Sequence, residues 1–120
     1  MRREQRLRRR RDFAAAYRKG RIQSNQLLVL RVLPNGLPVS RFGFVAGKVV
    51  GGAVVRNRVK RRLREAARAL PVRQGLDIVI GARKPAAEAQ YEALRQALQT
   101  LLDRAKALER PTVASTEETL

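Results

Sequence analysis

The side chains best suited to acid–base, metal or nucleophile chemistry are sparse in this sequence: ten carboxylates, no histidine and no cysteine in 120 residues. The carboxylates are Glu4, Asp12, Glu65, Asp77, Glu88, Glu92, Asp103, Glu109, Glu117 and Glu118, scattered from end to end. No pair has a spacing that argues for a two-metal nuclease site or an acid–base dyad. Missing histidine removes the commonest general base and metal ligand, and missing cysteine removes thiol chemistry. No HExxH, Ser–His arrangement or metal-ligand cluster occurs. Cations dominate instead, with 27 Lys and Arg and a formal net charge of +17. That imbalance implies an anionic partner and strongly salt-dependent binding. The composition describes a chain that binds rather than one that breaks bonds by itself.

The cations cluster. Arg56, Arg58, Lys60, Arg61, Arg62, Arg64 and Arg68 stand close together, with Asn57 among them and Glu65 as the single acid. Interleaved with them, Val59, Leu63, Ala66, Ala67 and Leu70 recur at three- and four-residue steps. This spacing predicts a helix over 55–70 with one face in a core. Asn57, Lys60, Arg61, Arg64 and Arg68 then share a side roughly perpendicular to the apolar stripe, while Arg58 and Arg62 project from the other flank. A solvated helix usually mixes signs to gain i,i+4 pairs. This one leaves like charges unneutralised, a cost that a nucleic-acid partner offsets. Residues 1–11, seven of them Arg, read as a basic arm that self-repulsion keeps extended until it meets an anion.

The remaining segments must position these groups. Asp12 looks like the N-cap of a short helix over 13–19, with Gly20 as its stop. Phe13 and Tyr17 are four apart and share a face of that helix. The chain has only three Phe and two Tyr, and two roles stay open for the pair: packing against a sheet, or a stacking platform for unpaired bases. Strands are expected over 26–33 and 40–46, paired antiparallel across the Pro34-Asn35-Gly36 turn. In the second strand Phe42 and Phe44 face one way, Gly43 and Val45 the other. The glycine-rich stretch 47–55 reads as a short strand or turn feeding the basic helix, with Lys48 a candidate phosphate contact. An apolar strand over 76–80 follows, so strand, helix and strand suggest a parallel crossover, right-handed by default. A long helix is expected over 86–109, with Tyr91, Leu94, Leu98, Leu101, Leu102, Ala105 and Leu108 as its buried stripe. The organisation is one domain over 12–110 between the arm and a disordered acidic tail at 111–120. No apolar run approaches the roughly 18 residues of a membrane span, and the N-terminus lacks the apolar stretch of a secretory signal. Cytoplasmic residence is the default.

Three motifs in order carry a resemblance. GKVVGGAVVRNRVKRRLREAAR (47–68) is similar to the signature of the bacterial ribonuclease P protein component. DFAAAYRKG (12–20) resembles that family's first helix, and DIVIGARKPA (77–86) its strand entering the last helix. The resemblance implies an α+β fold, a ribosomal-protein-like α/β sandwich. A small central sheet and three helices would follow the order α-β-β-β-α-β-α, with a left-handed crossover in place of the default. It implies a non-catalytic protein subunit that joins a catalytic RNA and precursor tRNA. The holoenzyme would remove the 5′ leader to give the mature tRNA 5′ end. The RNA subunit and substrate, not a protein site, would hold the catalytic Mg2+. Carried over residue by residue, Arg56, Asn57, Arg58, Lys60, Arg61, Arg64 and Arg68 are the RNA-subunit contacts. Phe13, Tyr17 and Lys48 are the leader-cleft contacts. Membranes and small-molecule substrates are not expected partners, and one copy per ribonucleoprotein is. Three positions depart from the family pattern: Gly47 where serine is common, Val49 where a second lysine is, and Gly52 where asparagine is. The Val49 departure removes one charge beside the cleft. A basic ribosomal protein or RNA chaperone using the same helix is the alternative.

Overall fold

The computed structural model describes residues 1–109, so the tail expected at 111–120 lies outside the described residues. Three helices and four strands follow one another as α1 (Arg10–Lys19), β1 (Arg21–Ser24), β2 (Leu28–Pro34), β3 (Arg41–Ala46), α2 (Ala53–Ala69), β4 (Leu76–Ala82) and α3 (Tyr91–Arg104). Short 3-10 turns at Arg3–Gln5, Lys48–Val50 and Lys84–Glu88 join them. The element order is the expected one, but its strands come from partly different segments. Strand β1 was not foreseen, and of the strand or turn expected over 47–55 the structure has the turn, at Lys48–Val50, leading into α2.

The sheet order is β1-β2-β4-β3. Strand β2 pairs antiparallel with β1 and with β4, and β3 pairs parallel with β4. The antiparallel pairing expected between 26–33 and 40–46 is therefore wrong: β4 inserts between those segments. The true hairpin is β1–β2, turned at Asn25, whose Oδ1 accepts from the backbone N–H groups of Leu27 and Leu28. The parallel β3–α2–β4 crossover matches expectation. It makes β4 the buried middle of the sheet, and Leu76, Asp77, Ile78, Val79 and Ile80 are all buried. A strand covered on both faces reads as a continuous apolar run rather than an alternating one.

Helices α2 and α3 cover one face of the sheet. Their Val59, Leu63, Leu94, Leu98, Leu101 and Leu102 pack with Leu28, Leu30, Phe42, Ile78 and Ile80 in the main core. Helix α1 covers the other face through a smaller cluster of Leu7, Ala16 and Val79, flanked by Phe13 and Val45. Leu7 is the unexpected member, because it belongs to the arginine arm. Its N–H donates to the Phe42 carbonyl at 2.8 Å, and Arg6 bridges Phe42 in parallel. One apolar side chain and one edge-strand hydrogen bond thus seat the arm where charge repulsion alone would leave it extended.

Two helix boundaries also differ. Helix α1 begins at Arg10, so Asp12 lies in its first turn and makes no cap. The long C-terminal helix is split into the Lys84–Glu88 turn and α3. Helix α3 stops at a Schellman motif. Lys106 takes φ 58°, the Ala107 N–H donates to the Leu102 carbonyl, and the Lys106 N–H donates to that of Asp103.

Candidate nucleic-acid interface

Helix α2 buries Val59, Leu63, Ala66 and Ala67, with Leu70 buried just beyond its end. The expected stripe is thus the anchored face, and the cations are turned outward or along its flanks. Asn57, Arg61 and Arg68 are exposed, while Arg56, Arg58, Lys60 and Arg64 are half-buried. Among the described residues, no α2 cation enters an ion pair. The Nε atoms of Arg56, Arg58 and Arg64 are shielded from solvent without a protein acceptor. Their aliphatic stems lie along the protein while the charges stay uncompensated.

The two flanks of α2 differ in what they do. Arg58 donates from Nη2 to the Ala87 carbonyl at 3.3 Å, and Arg62 from Nη1 to the Ala89 carbonyl at 3.0 Å. These two arginines fasten α2 to the Lys84–Glu88 turn and the residue after it. The opposite flank turns toward the β3 edge. There the Arg64 guanidinium stands over the Phe44 ring, 5.5 Å from its centroid. Phe44 stacks with Phe42 at 6.2 Å between centroids.

Phe13 reaches the same edge from the other face of the sheet. Its ring lies against Gly43, where a Cβ would come within 2.5 Å of Cε1. A cavity of about 170 Å³ wraps the edge and is lined by Arg6, Leu7, Phe13, Phe42, Gly43, Phe44, Lys60 and Arg64. Phe13, expected in the leader cleft, thus meets Lys60 and Arg64, expected on the RNA-subunit face. Tyr17 and Lys48 are outside this cavity. Tyr17 is 45 % exposed, with the Arg31 guanidinium 4.4 Å from its ring centroid. Lys48 is exposed on the turn between β3 and α2, next to the exposed Val49.

Arg6 and Phe44 line the edge cavity and Arg31 stands over Tyr17, placements that the sequence reading missed. Period-2 alternation in β3 was the available signal for Phe44. Arg6 and Arg31 meet their aromatic neighbours only through long-range folding.

Two carboxylates beside the start of β3 are already engaged. Arg41 donates to both oxygens of the buried Asp77, at 2.8 and 2.7 Å, and to Asp12 at 3.5 Å. Asn35 adds a bond from Nδ2 to Asp77 at 2.9 Å. The Asp77 hydrogen bonds raise the Arg41 pKa above its ordinary value, so the guanidinium stays charged through any working pH. This network ties α1 to the sheet. Among the described residues, no group of three or more His, Cys, Asp or Glu could hold a metal ion.

Known proteins match this architecture along nearly its whole length. The ribonuclease P family model matches residues 1–106. The ribonuclease P protein component of Symbiobacterium thermophilum is 46% identical over 114 residues, covering 92% of this chain and 98% of that protein. That of Dehalococcoides mccartyi is 41% identical over 108 residues, covering 90% of each. Among solved structures, the RNase P protein of Staphylococcus aureus superposes with a TM-score of 0.79 at 29% identity, covering 88% of this chain and 98% of that one. The Thermotoga maritima RNase P protein gives 0.76 at 34%, covering 82% and 96%. With the family model spanning residues 1–106 and these relatives covering most of the chain, the chain belongs to the ribonuclease P protein family.

Proposed function

We propose that this chain is the protein subunit of ribonuclease P. It binds a catalytic RNA through α2 and the 5′ leader of precursor tRNA across α1, and so assists removal of the leader. One observation carries the proposal: a full helix of unpaired cations meets aromatic rings at the edge of the sheet. Phosphates supply the missing counter-charges, and the rings accept unpaired bases. Arg56, Asn57, Lys60, Arg61, Arg64 and Arg68 contact the RNA subunit. Arg58 does so as well, with Nη2 already committed to Ala87. Phe13, Tyr17 and Lys48 contact the leader.

The protein's work is positional. Neutralised phosphates let two polyanions approach, and a leader held on α1 fixes the scissile bond relative to the RNA. The described carboxylates do not converge on a metal site. In this reading the magnesium that supports phosphodiester hydrolysis is held by the RNA subunit and substrate. The protein supplies no nucleophile or base, and it acts as one copy in a cytoplasmic ribonucleoprotein. No described helix is long and apolar enough to cross a membrane.

Adding the full chain to the catalytic RNA and precursor tRNA at low magnesium tests this. Stimulated 5′ cleavage is expected. Tight RNA binding without stimulation would point instead to a ribosomal or chaperone role. Cleavage by the protein alone would overturn the non-catalytic assignment.

A further inference from the structure

We infer that the outer edge of β3 is a binding site for a single unstacked nucleobase, an inference that rests on the RNA-binding role proposed above. Strand β3 pairs with β4 on one side only and forms the end of the sheet. On its free side the arm covers only the first part of the strand, where the Phe42 carbonyl accepts from Leu7. Alternation along a strand turns the N–H and C=O of every second residue to the same side. The N–H and C=O of Phe44 therefore face outward like those of Phe42. The arm turns away after Leu7 into α1, which begins at Arg10. No strand among the described residues pairs with Phe44 on that side. A donor and an acceptor thus stand side by side on an open edge, and an open edge is a template for pairing.

The surroundings choose the occupant. The edge cavity of about 170 Å³ has room for one purine or pyrimidine. Its walls combine the Phe13 and Phe44 rings with the backbone of Gly43. Its rim carries Arg6, Lys60 and Arg64, and the Nε of Arg64 is shielded without an acceptor. Apolar ring walls, an amide edge and a cationic rim match the three parts of a nucleotide. The Phe13 ring meets the base face, the Phe44 amide and carbonyl meet the base's hydrogen-bonding edge, and the cations meet the phosphate. A peptide added to the same edge would gain from the three rim cations only through acidic side chains, and would leave the ring walls without a planar partner.

The site lies where α2 and α1 approach around one strand. A base bulged from an RNA bound on α2 would therefore rest against Phe13. Its place couples the assembly surface to the leader surface.

Amide NMR of the full-length protein tests the site directly, with AMP, GMP, UMP and CMP as probes and ribose 5-phosphate as the base-free control. The Phe44 amide resonance is expected to shift saturably with at least one nucleotide. It should move little with ribose 5-phosphate, which should perturb only Arg6, Lys60 and Arg64. Equal shifts with the control, or a still Phe44 amide beside moving rim resonances, would overturn the base site. The low-magnesium cleavage assay on the same preparation separates the two proposals. Stimulated cleavage with a silent Phe44 amide removes the base site and leaves the subunit role standing. Absence of stimulation removes the subunit role itself.

Discussion

At the scale of single residues, the close approaches matter more than the charges. Gly20 has ordinary backbone angles, with φ −69°. It is needed because a Cβ there would collide with the Ala16 carbonyl oxygen, which is backbone and cannot swing aside. Gly20→Ala is expected to destabilise the fold by roughly 1–3 kcal/mol, the usual cost of forced overpacking. At Gly47 a Cβ meets nothing within 4 Å, so Gly47→Ala should stay within about 0.5 kcal/mol. Urea unfolding of both variants checks the pair, and equal stabilities would contradict the close approach at Gly20. Phe13 makes a different kind of approach, because its ring is half-buried and still reaches the edge cavity. Removing one base stack costs about 1–3 kcal/mol. Phe13→Ala should therefore weaken binding of leader-bearing precursor to the holoenzyme by about five- to 150-fold and leave mature tRNA unchanged. Binding assays with the two RNAs decide it, and equal weakening of both would remove Phe13 from the leader path.

At the scale of elements, α2 divides its cations between two jobs. Arg58 and Arg62 hold carbonyls of 87 and 89, whereas Lys60, Arg61 and Arg64 have no protein acceptor for their charges. Replacing Lys60, Arg61 and Arg64 by Ala should reduce the slope of log K against log salt by roughly 0.7–0.9 for each phosphate no longer neutralised. Folding stability should change little. Arg62→Ala should do the reverse, costing about 1 kcal/mol of stability for the missing hydrogen bond with a nearly unchanged slope. Filter binding to the catalytic RNA across a salt series, beside thermal unfolding, separates them. The helix itself was legible because its apolar stripe and its arginines are local in sequence. The sheet was less so. Strand β1 is short and polar, and its Ile22 is 55 % exposed, so it carries no hydrophobic alternation to read. The insertion of β4 between β2 and β3 depends on pairings across 36 to 54 residues, which no local pattern encodes. At the candidate site the same division holds. The basic face and the Phe13–Tyr17 pair were visible as spacings, whereas the meeting of Phe13, Arg6 and Arg64 around Gly43 exists only in the folded chain.

At the scale of the whole molecule, the arginine arm is both a charge reservoir and a docked segment, and these properties can be separated. Arg3, Arg6, Arg8 and Arg9 line an open groove of about 850 Å³ against Leu37, Pro38 and Val39. Leu7 is the side chain of that stretch buried in the small cluster beneath α1, beside the Leu7–Phe42 backbone bond and a partly buried Met1 on the main core. Leu7→Ala should cost about 2 kcal/mol of stability, at the low end for buried leucine because the cluster is small. It should also free the arm. The charges remain, so the salt slope of RNA binding should persist while affinity falls, since the RNA must now order the segment itself. Arg8→Ala with Arg9→Ala should leave stability unchanged and lower the slope by up to roughly 0.7–0.9 for each phosphate these arginines neutralise. Proteolysis rates of the arm, unfolding curves and salt-dependent binding measured on both variants form one test. A Leu7→Ala protein with an arm as protected as the parent's would show that the groove arginines, not the buried leucine, keep the arm in place.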